Sequence, residues 1–189
     1  SKGIWVSTGE EKRQQLLTSL SRMYKQNVYS NQDERVKGLL FHLFFKSHYV
    51  TAGELADELS VSRNTVLGDM DYIEVLLQGS GLSLVRKQRS GYSLSGTEAA
   101  KRAFIEDLIN KSLSVHDVLL LTNRIRDGID QPLLLLPFDD LISAGYTSVE
   151  QALAAAFAEH EEKMQKEHLP LMIIRLLISL RRLDDGAFV

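Results

Sequence analysis

A mainly α fold with a small β-wing is predicted by three observations. The run Thr51-Ala-Gly-Glu-Leu-Ala-Asp-Glu-Leu-Ser-Val-Ser-Arg-Asn-Thr-Val66 fits two helices joined by a turn of only Ser60 and Val61. A hairpin rich in Arg and Lys follows, where Leu82–Arg86 and Tyr92–Leu94 alternate apolar and polar residues around Arg89-Ser90-Gly91. From Glu98 onward the apolar residues return to helical spacing. The expectation is a winged helix-turn-helix over residues 31–98, followed by an all-α helical bundle over 99–189. Such a winged module can set one helix into the major groove of DNA.

The elements follow in order. Gly3-Ile-Trp-Val-Ser-Thr-Gly-Glu-Glu-Lys-Arg13 echoes Gly91-Tyr-Ser-Leu-Ser-Gly-Thr-Glu-Ala-Ala-Lys-Arg102, with one residue inserted in the second. Since the second copy ends a wing, residues 1–30 are expected to hold the last strand of a preceding winged module and a linker helix. That helix covers Glu10–Lys25, with Leu16, Leu17, Leu20 and Met23 at helical spacing. Asp33 and Glu34 open the next, apolar helix through Leu39, Leu40, Leu43 and Phe44, ending near Ser47. Thr51 and Glu54 form a capping box at the start of the third helix, whose buried face carries Leu55 and Leu59. Ala56 is small enough for a close helix crossing. Ser62 caps the fourth helix, which turns Val66, Met70, Ile73 and Leu77 inward and stops at Gly79-Ser80-Gly81. After the wing, helices are expected at Ala99–Asn110 and Val115–Arg126, then a loop with Pro132 and Pro137. Thr147 and Glu150 predict a second capping box opening a helix to about Lys166, and Pro170 marks the first turn of a helix to Leu183. The bundle that ends there is small, so the last domain is expected to be truncated.

Composition narrows the function classes. Apolar residues make up 44% and charged residues 25% of 189, as in ordinary globular chains. Without cysteine there is neither a disulfide nor a thiolate metal site, which suits a reducing compartment. The longest apolar runs are too short to cross a bilayer, and no basic segment followed by an apolar run opens the chain, so a cytoplasmic protein without a membrane partner is expected. Net charge is −3, which argues against a nonspecific polyanion binder. Positive charge is local: residues 82–102 hold Arg86, Lys87, Arg89, Lys101 and Arg102 against Glu98. Any attraction to DNA is expected at the wing and its exit.

With Val66 facing inward, steps of about 100° per residue put Asn64, Leu67, Gly68 and Asp71 on the outward face of the fourth helix, with Arg63 at its edge. Asn can pair bidentately with adenine and Arg with guanine, so Ser62, Arg63, Asn64 and Thr65 in the first turn are the candidate base and backbone readers. Gly68 removes bulk where a helix must sit close to the duplex wall. Arg86, Lys87 and Arg89 are the candidate phosphate or minor-groove contacts. The bland reading of each is a solvated helix start and an exposed hairpin. The acidic residues Asp69, Asp71 and Glu74 keep a second class open, a winged protein-interaction module without DNA binding.

The run Glu54–Val66, the Gly91-Tyr-Ser-Leu-Ser-Gly96 strand and the charged helix after it resemble the BglG/LicR/MtlR-like transcriptional regulators. The resemblance implies tandem winged modules followed by helical PTS-regulation domains, a homodimer on a two-fold operator, activation of a sugar-utilisation operon, and phosphotransferase-system phosphocarrier proteins as partners. It also favours double-stranded DNA over RNA, since no small β-rich RNA-binding segment is seen. Leu171-Met-Ile-Ile-Arg-Leu-Leu-Ile-Ser-Leu-Arg-Arg-Leu183 resembles a regulation-domain helix of the pattern Leu-Ile-Ile-His-Leu-x-Ile-x-Ile-x-Arg-Ile. Its arginine matches Arg182, and its phosphorylated histidine falls at Arg175. A guanidinium does not accept phosphate as imidazole does, but Arg175 could bind a phosphate or present fixed charge.

His116, beside Asp117, is the remaining phosphorylation candidate. His42 reads as a packing residue, and His48 as a cation at a helix end. His160 and His168 lie in an acidic stretch that matches no metal-ligand spacing. No catalytic residue, metal site or cofactor is expected, for the chain lacks a phosphate-cradling Gly-rich loop, a nucleophile elbow, a zinc-protease His pair and a carboxylate dyad. A helical region that binds a small-molecule effector directly is a third possibility.

Overall fold

The computed structural model describes residues 9–112, 139–159, 169–184 and 186. Among them are helices α1 (Glu10–Val28), α2 (Gln32–Phe45), α3 (Ala52–Leu59) and α4 (Arg63–Leu76), strands β1 (Ser83–Lys87) and β2 (Gly91–Ser95), and helices α5 (Glu98–Ser112), α6 (Asp139–Glu159) and α7 (Leu169–Asp184). This is a helix-turn-helix with a two-stranded wing, followed by further helices, as the sequence predicts.

The caps explain where the helices begin. Asn31 accepts the Asp33 N–H at the start of α2. At α3 the expected capping box closes: the Thr51 hydroxyl accepts the Glu54 N–H at 3.2 Å, and Glu54 Oε2 accepts the Thr51 N–H at 2.7 Å. The Thr51 N–H and then the Thr51 hydroxyl, both donating to Glu54 Oε2, hold that carboxyl below its ordinary pKa. Ser62 accepts the Thr65 N–H at 3.0 Å and opens α4.

Between α3 and α4, Ser60 takes a left-handed conformation at φ 56° and ψ 41°, while Val61 N–H returns to the Ala56 carbonyl at 2.9 Å. A glycine would adopt this geometry without the Cβ penalty. Here the serine carries it.

The core sits between α2, α3, α4 and the inner face of the wing. Leu39, Leu40, Leu55, Leu59, Val66, Met70, Ile73 and Leu77 are buried within it. Strands β1 and β2 pair antiparallel, with Leu84 opposite Leu94 and Arg86 opposite Tyr92. Val50 joins the hairpin by exchanging both backbone bonds with Tyr92, at 2.9 and 2.8 Å. Gly91 makes this approach possible. Its φ is +108°, and a Cβ there would lie 2.1 Å from the Val50 carbonyl oxygen.

The core continues without a break into the later helices. Ile105 and Ile109 of α5, Tyr146 of α6, and Ile173, Ile174, Leu177 and Ile178 of α7 belong to the same buried cluster. Arg182 ties α7 to the winged module. It donates to both oxygens of Glu98, at 3.0 and 2.6 Å, and to the Phe44 carbonyl at 2.9 Å, while stacking over the Phe44 ring. Arg182 and Arg102 together keep the Glu98 carboxyl below its usual pKa, against the opposing effect of burial.

One expected boundary is corrected. Thr147 does not cap a helix, because α6 starts at Asp139 and runs through it to Glu159. Tertiary packing overrides the local capping signal: Tyr146 is fully buried, and Gly145 packs closely against the Leu177 side chain. The expected helix at Val115–Arg126, the loop with Pro132 and Pro137, and residues 1–8 of the internal echo lie outside the described residues.

Candidate nucleic-acid interface

Helix α4 is set by both hydrophobic burial and a buried ion pair. Asp69 is only 2% exposed, and Arg35 of α2 grips it through two bonds, Nε to Oδ2 at 2.7 Å and Nη2 to Oδ1 at 3.1 Å. Gln32 adds a bond to Oδ1 at 3.1 Å, and Arg35 Nη1 donates to the Tyr29 and Ser30 carbonyls. A bidentate Arg–carboxylate pair fixes geometry as well as charge, so α4 is held in rotation about its axis. From sequence, Asp69 is one of the acidic residues of this helix that keep a protein-interaction module open. It points into the protein.

With that rotation set, Ser62, Arg63, Asn64, Gly68 and Asp71 are exposed, while Thr65 and Leu67 are half-buried. Leu67 packs on the core, so only part of it reaches the outer surface. No atom lies within 4 Å of the position a Cβ would take on Gly68, so this stretch of the helix is open to an incoming surface. The polar first turn is not covered by α5, α6 or α7.

The wing stands beside this helix. Arg63 and Leu67 of α4, the start of α3 at Thr51–Gly53, and Arg86, Lys87, Gln88 and Arg89 of the wing line a groove of about 490 Å³. Arg89 occupies the hairpin tip in a left-handed conformation, at φ 62°. The Lys87 ammonium lies 5.4 Å from the centroid of the Tyr49 ring, a cation–π distance. Lys87 and Arg89 are exposed, and Tyr49 is half-buried.

Arg86 differs from its two neighbours. Its Nη2 donates to Asp71 Oδ1 at 2.7 Å and to Glu74 Oε2 at 2.8 Å, and its guanidinium covers Tyr92 at 5.7 Å. The bond to Asp71 raises its pKa further. The structure thus brings Arg63, Arg86, Lys87 and Arg89 to one groove, with the Arg86 guanidinium held by Asp71 and Glu74 of α4.

The regulatory candidates lie elsewhere. Arg175 is half-buried on α7, where its Nη2 donates to Asn110 Oδ1 of α5 at 3.1 Å. It bridges two helices. His116 lies outside the described residues, as do His160 and His168. His42 is largely buried with Nε2 3.9 Å from Glu58, consistent with a packing role. Among the described residues no group of His, Asp and Glu side chains could hold a metal ion, and no helix is long and apolar enough to cross a membrane.

Sequence reasoning missed Gln32, Arg35 and Asp69. Asp69 lies next to Met70, three residues after Val66, and so falls on the inward side of the apolar stripe. That placement was the available signal for a buried carboxylate needing a cationic partner.

Comparison with known proteins bears on what this arrangement is for. The chain is 27% identical over 113 residues to the transcriptional regulator ManR of Bacillus subtilis (strain 168). The match covers 58% of this chain and 17% of ManR, so the chain spans a small part of that relative. No solved structure matches. The profile of the Mga helix-turn-helix domain matches residues 15–109, which takes in α2 to α4, the wing and most of α5, and the chain belongs to that helix-turn-helix family.

Proposed function

We propose that this chain is the sequence-reading part of a DNA-binding transcriptional regulator, with α4 entering the major groove of duplex DNA and the wing resting on the backbone. The observation that carries this reading is the exposed polar first turn Ser62–Thr65, beside the cationic wing tip and backed by the Arg35–Asp69 pair. Arg63 and Asn64 are the base readers, and Ser62 and Thr65 approach the backbone. Gly68 and the outer edge of Leu67 admit the duplex, and Lys87 and Arg89 contact phosphate. The likeness to ManR and membership of a helix-turn-helix family support this assignment.

The finer reading is an activator of a sugar-utilisation operon that acts as a homodimer in the cytoplasm. Residues 31–98 read DNA and 99–189 form a PTS-regulation-like helical part addressed by phosphocarrier proteins, while residues 1–30 close a preceding winged module. The support for these features is the family resemblance of Glu54–Val66 and of α7. At Arg175 the reading departs from phosphorylation, because that guanidinium is a helix-bridging donor and not a nucleophile. The acidic residues that favour a protein-interaction module count for less, since Asp69 is internal and Arg86 neutralises part of the rest.

Selection of bound sequences from a random duplex pool, followed by gel shift at several salt concentrations, tests the reading. It predicts an enriched two-fold site whose affinity falls as salt rises. A pool that stays random after repeated rounds contradicts it.

A further inference from the structure

The cations of the wing divide into two kinds. Arg86, Lys87 and Arg89 all line the groove shared with Arg63, and the ion pairs of Arg86 set it apart. Arg86, one residue earlier than Lys87, turns back onto α4, where Asp71 and Glu74 lie three residues apart on the exposed surface. One guanidinium nitrogen bridges both carboxylates, and the ring beneath the guanidinium belongs to Tyr92, its partner across the hairpin. Tyr92 is in turn bonded to Val50, one residue before the cap of α3. A single side chain therefore links the recognition helix, both strands of the wing and the entrance to α3.

Electrostatics favours this placement over phosphate contact. If Arg86 turned to the duplex, it would leave two uncompensated carboxylates on the helix that has to approach a polyanion. Kept where it is, it halves that local negative charge and fixes the distance between wing and helix. Exposed ion pairs add little to folding stability, so the consequence lies in geometry and not in stability. Resting on the DNA-reading function above, we propose that Arg86 is a positioning residue. It latches the wing to α4 through Asp71 and Glu74 and screens those carboxylates from DNA, while Lys87 and Arg89 make the phosphate contacts.

The test compares the salt dependence of duplex binding for the wild-type chain, Arg86→Gln, Arg89→Gln, the Asp71→Asn/Glu74→Gln pair, and that pair combined with Arg86→Gln. Loss of a phosphate contact in Arg89→Gln should make the slope of log K against log salt shallower by about 0.9. Arg86→Gln should lower affinity by about tenfold at low salt, where the unscreened carboxylates repel the duplex most, and in the background lacking both carboxylates it should have little effect. Equal losses from Arg86→Gln in both backgrounds would identify a phosphate contact and overturn the latch. A second measurement needs no DNA. Amide hydrogen exchange across residues 83–95 should speed up in Arg86→Gln, and unchanged exchange overturns the latch. If the wild-type chain binds no duplex, the DNA-reading function fails, and the exchange result still decides the role of Arg86.

Discussion

Arg63 and Gly68 are exposed on the same helix yet make opposite kinds of prediction. Arg63 can pair bidentately with guanine, so Arg63→Ala should relax preference at one base pair and cost about 1–3 kcal/mol of binding. Gel shifts over a series of single-base variants of the selected site check this, and unchanged preference removes Arg63 from the reading set. At Gly68 stability and binding should move in opposite directions. The site has room for a Cβ, and alanine favours helix over glycine by about 1 kcal/mol, so Gly68→Ala should raise the melting temperature. The added methyl would stand where the duplex approaches, so the same variant should bind DNA more weakly. A variant that is both more stable and binds equally well would show that Gly68 faces no partner. Asp69 is different again, because Asp69→Ala leaves Arg35 charged beneath the surface. Breaking a buried pair costs about 3–5 kcal/mol, which chemical denaturation would register as a large fall in midpoint.

Among the elements, the helix-turn-helix and wing were legible in the sequence almost to the residue. Their signals are local: a capping box at Thr51, a cap at Ser62, an inward stripe from Val66 to Leu77, and turn residues around Gly91. Less legible were the features set by tertiary contact. Thr147 looked like a cap because Thr and Glu stood at the right spacing, but burial of Tyr146 against the neighbouring helix outweighs one capping hydrogen bond. Arg86 looked like its neighbours Lys87 and Arg89, since no local pattern reveals that Asp71 and Glu74 of α4 lie within hydrogen-bond reach of it. The wing also carries an element-scale prediction. Gly91→Ala would strain a positive φ and drive a Cβ into Val50, so it should cost about 2 kcal/mol or more and loosen the hairpin from α3. Thermal melting checks the cost, and faster exchange of the Tyr92 amide locates it.

Across the whole molecule, one buried cluster joins α2, α3 and α4 to α5, α6 and α7, with the Glu98–Arg182 pair at its edge. Because the Glu98 carboxyl is depressed in the folded chain, the stability from this pair is present above the ordinary carboxylate pKa of 4.5. That stability is lost as the pH falls through the depressed value. Acid should therefore destabilise the wild-type chain over this interval more than it does Arg182→Met, and denaturation at pH 7 and below pH 4 (roughly the range in which carboxylates protonate) measures the difference. Equal acid sensitivity would show that the pair does not couple the later helices to the winged module. The same continuous core is what holds the first turn of α4 outward, ready for a groove. The most direct examination of that role is methylation protection at guanine N7, an atom that lies only in the major groove. The account predicts protected guanines within the selected site in the wild-type complex and the loss of one of them in Arg63→Ala. A complex that forms with every N7 still reactive would contradict it.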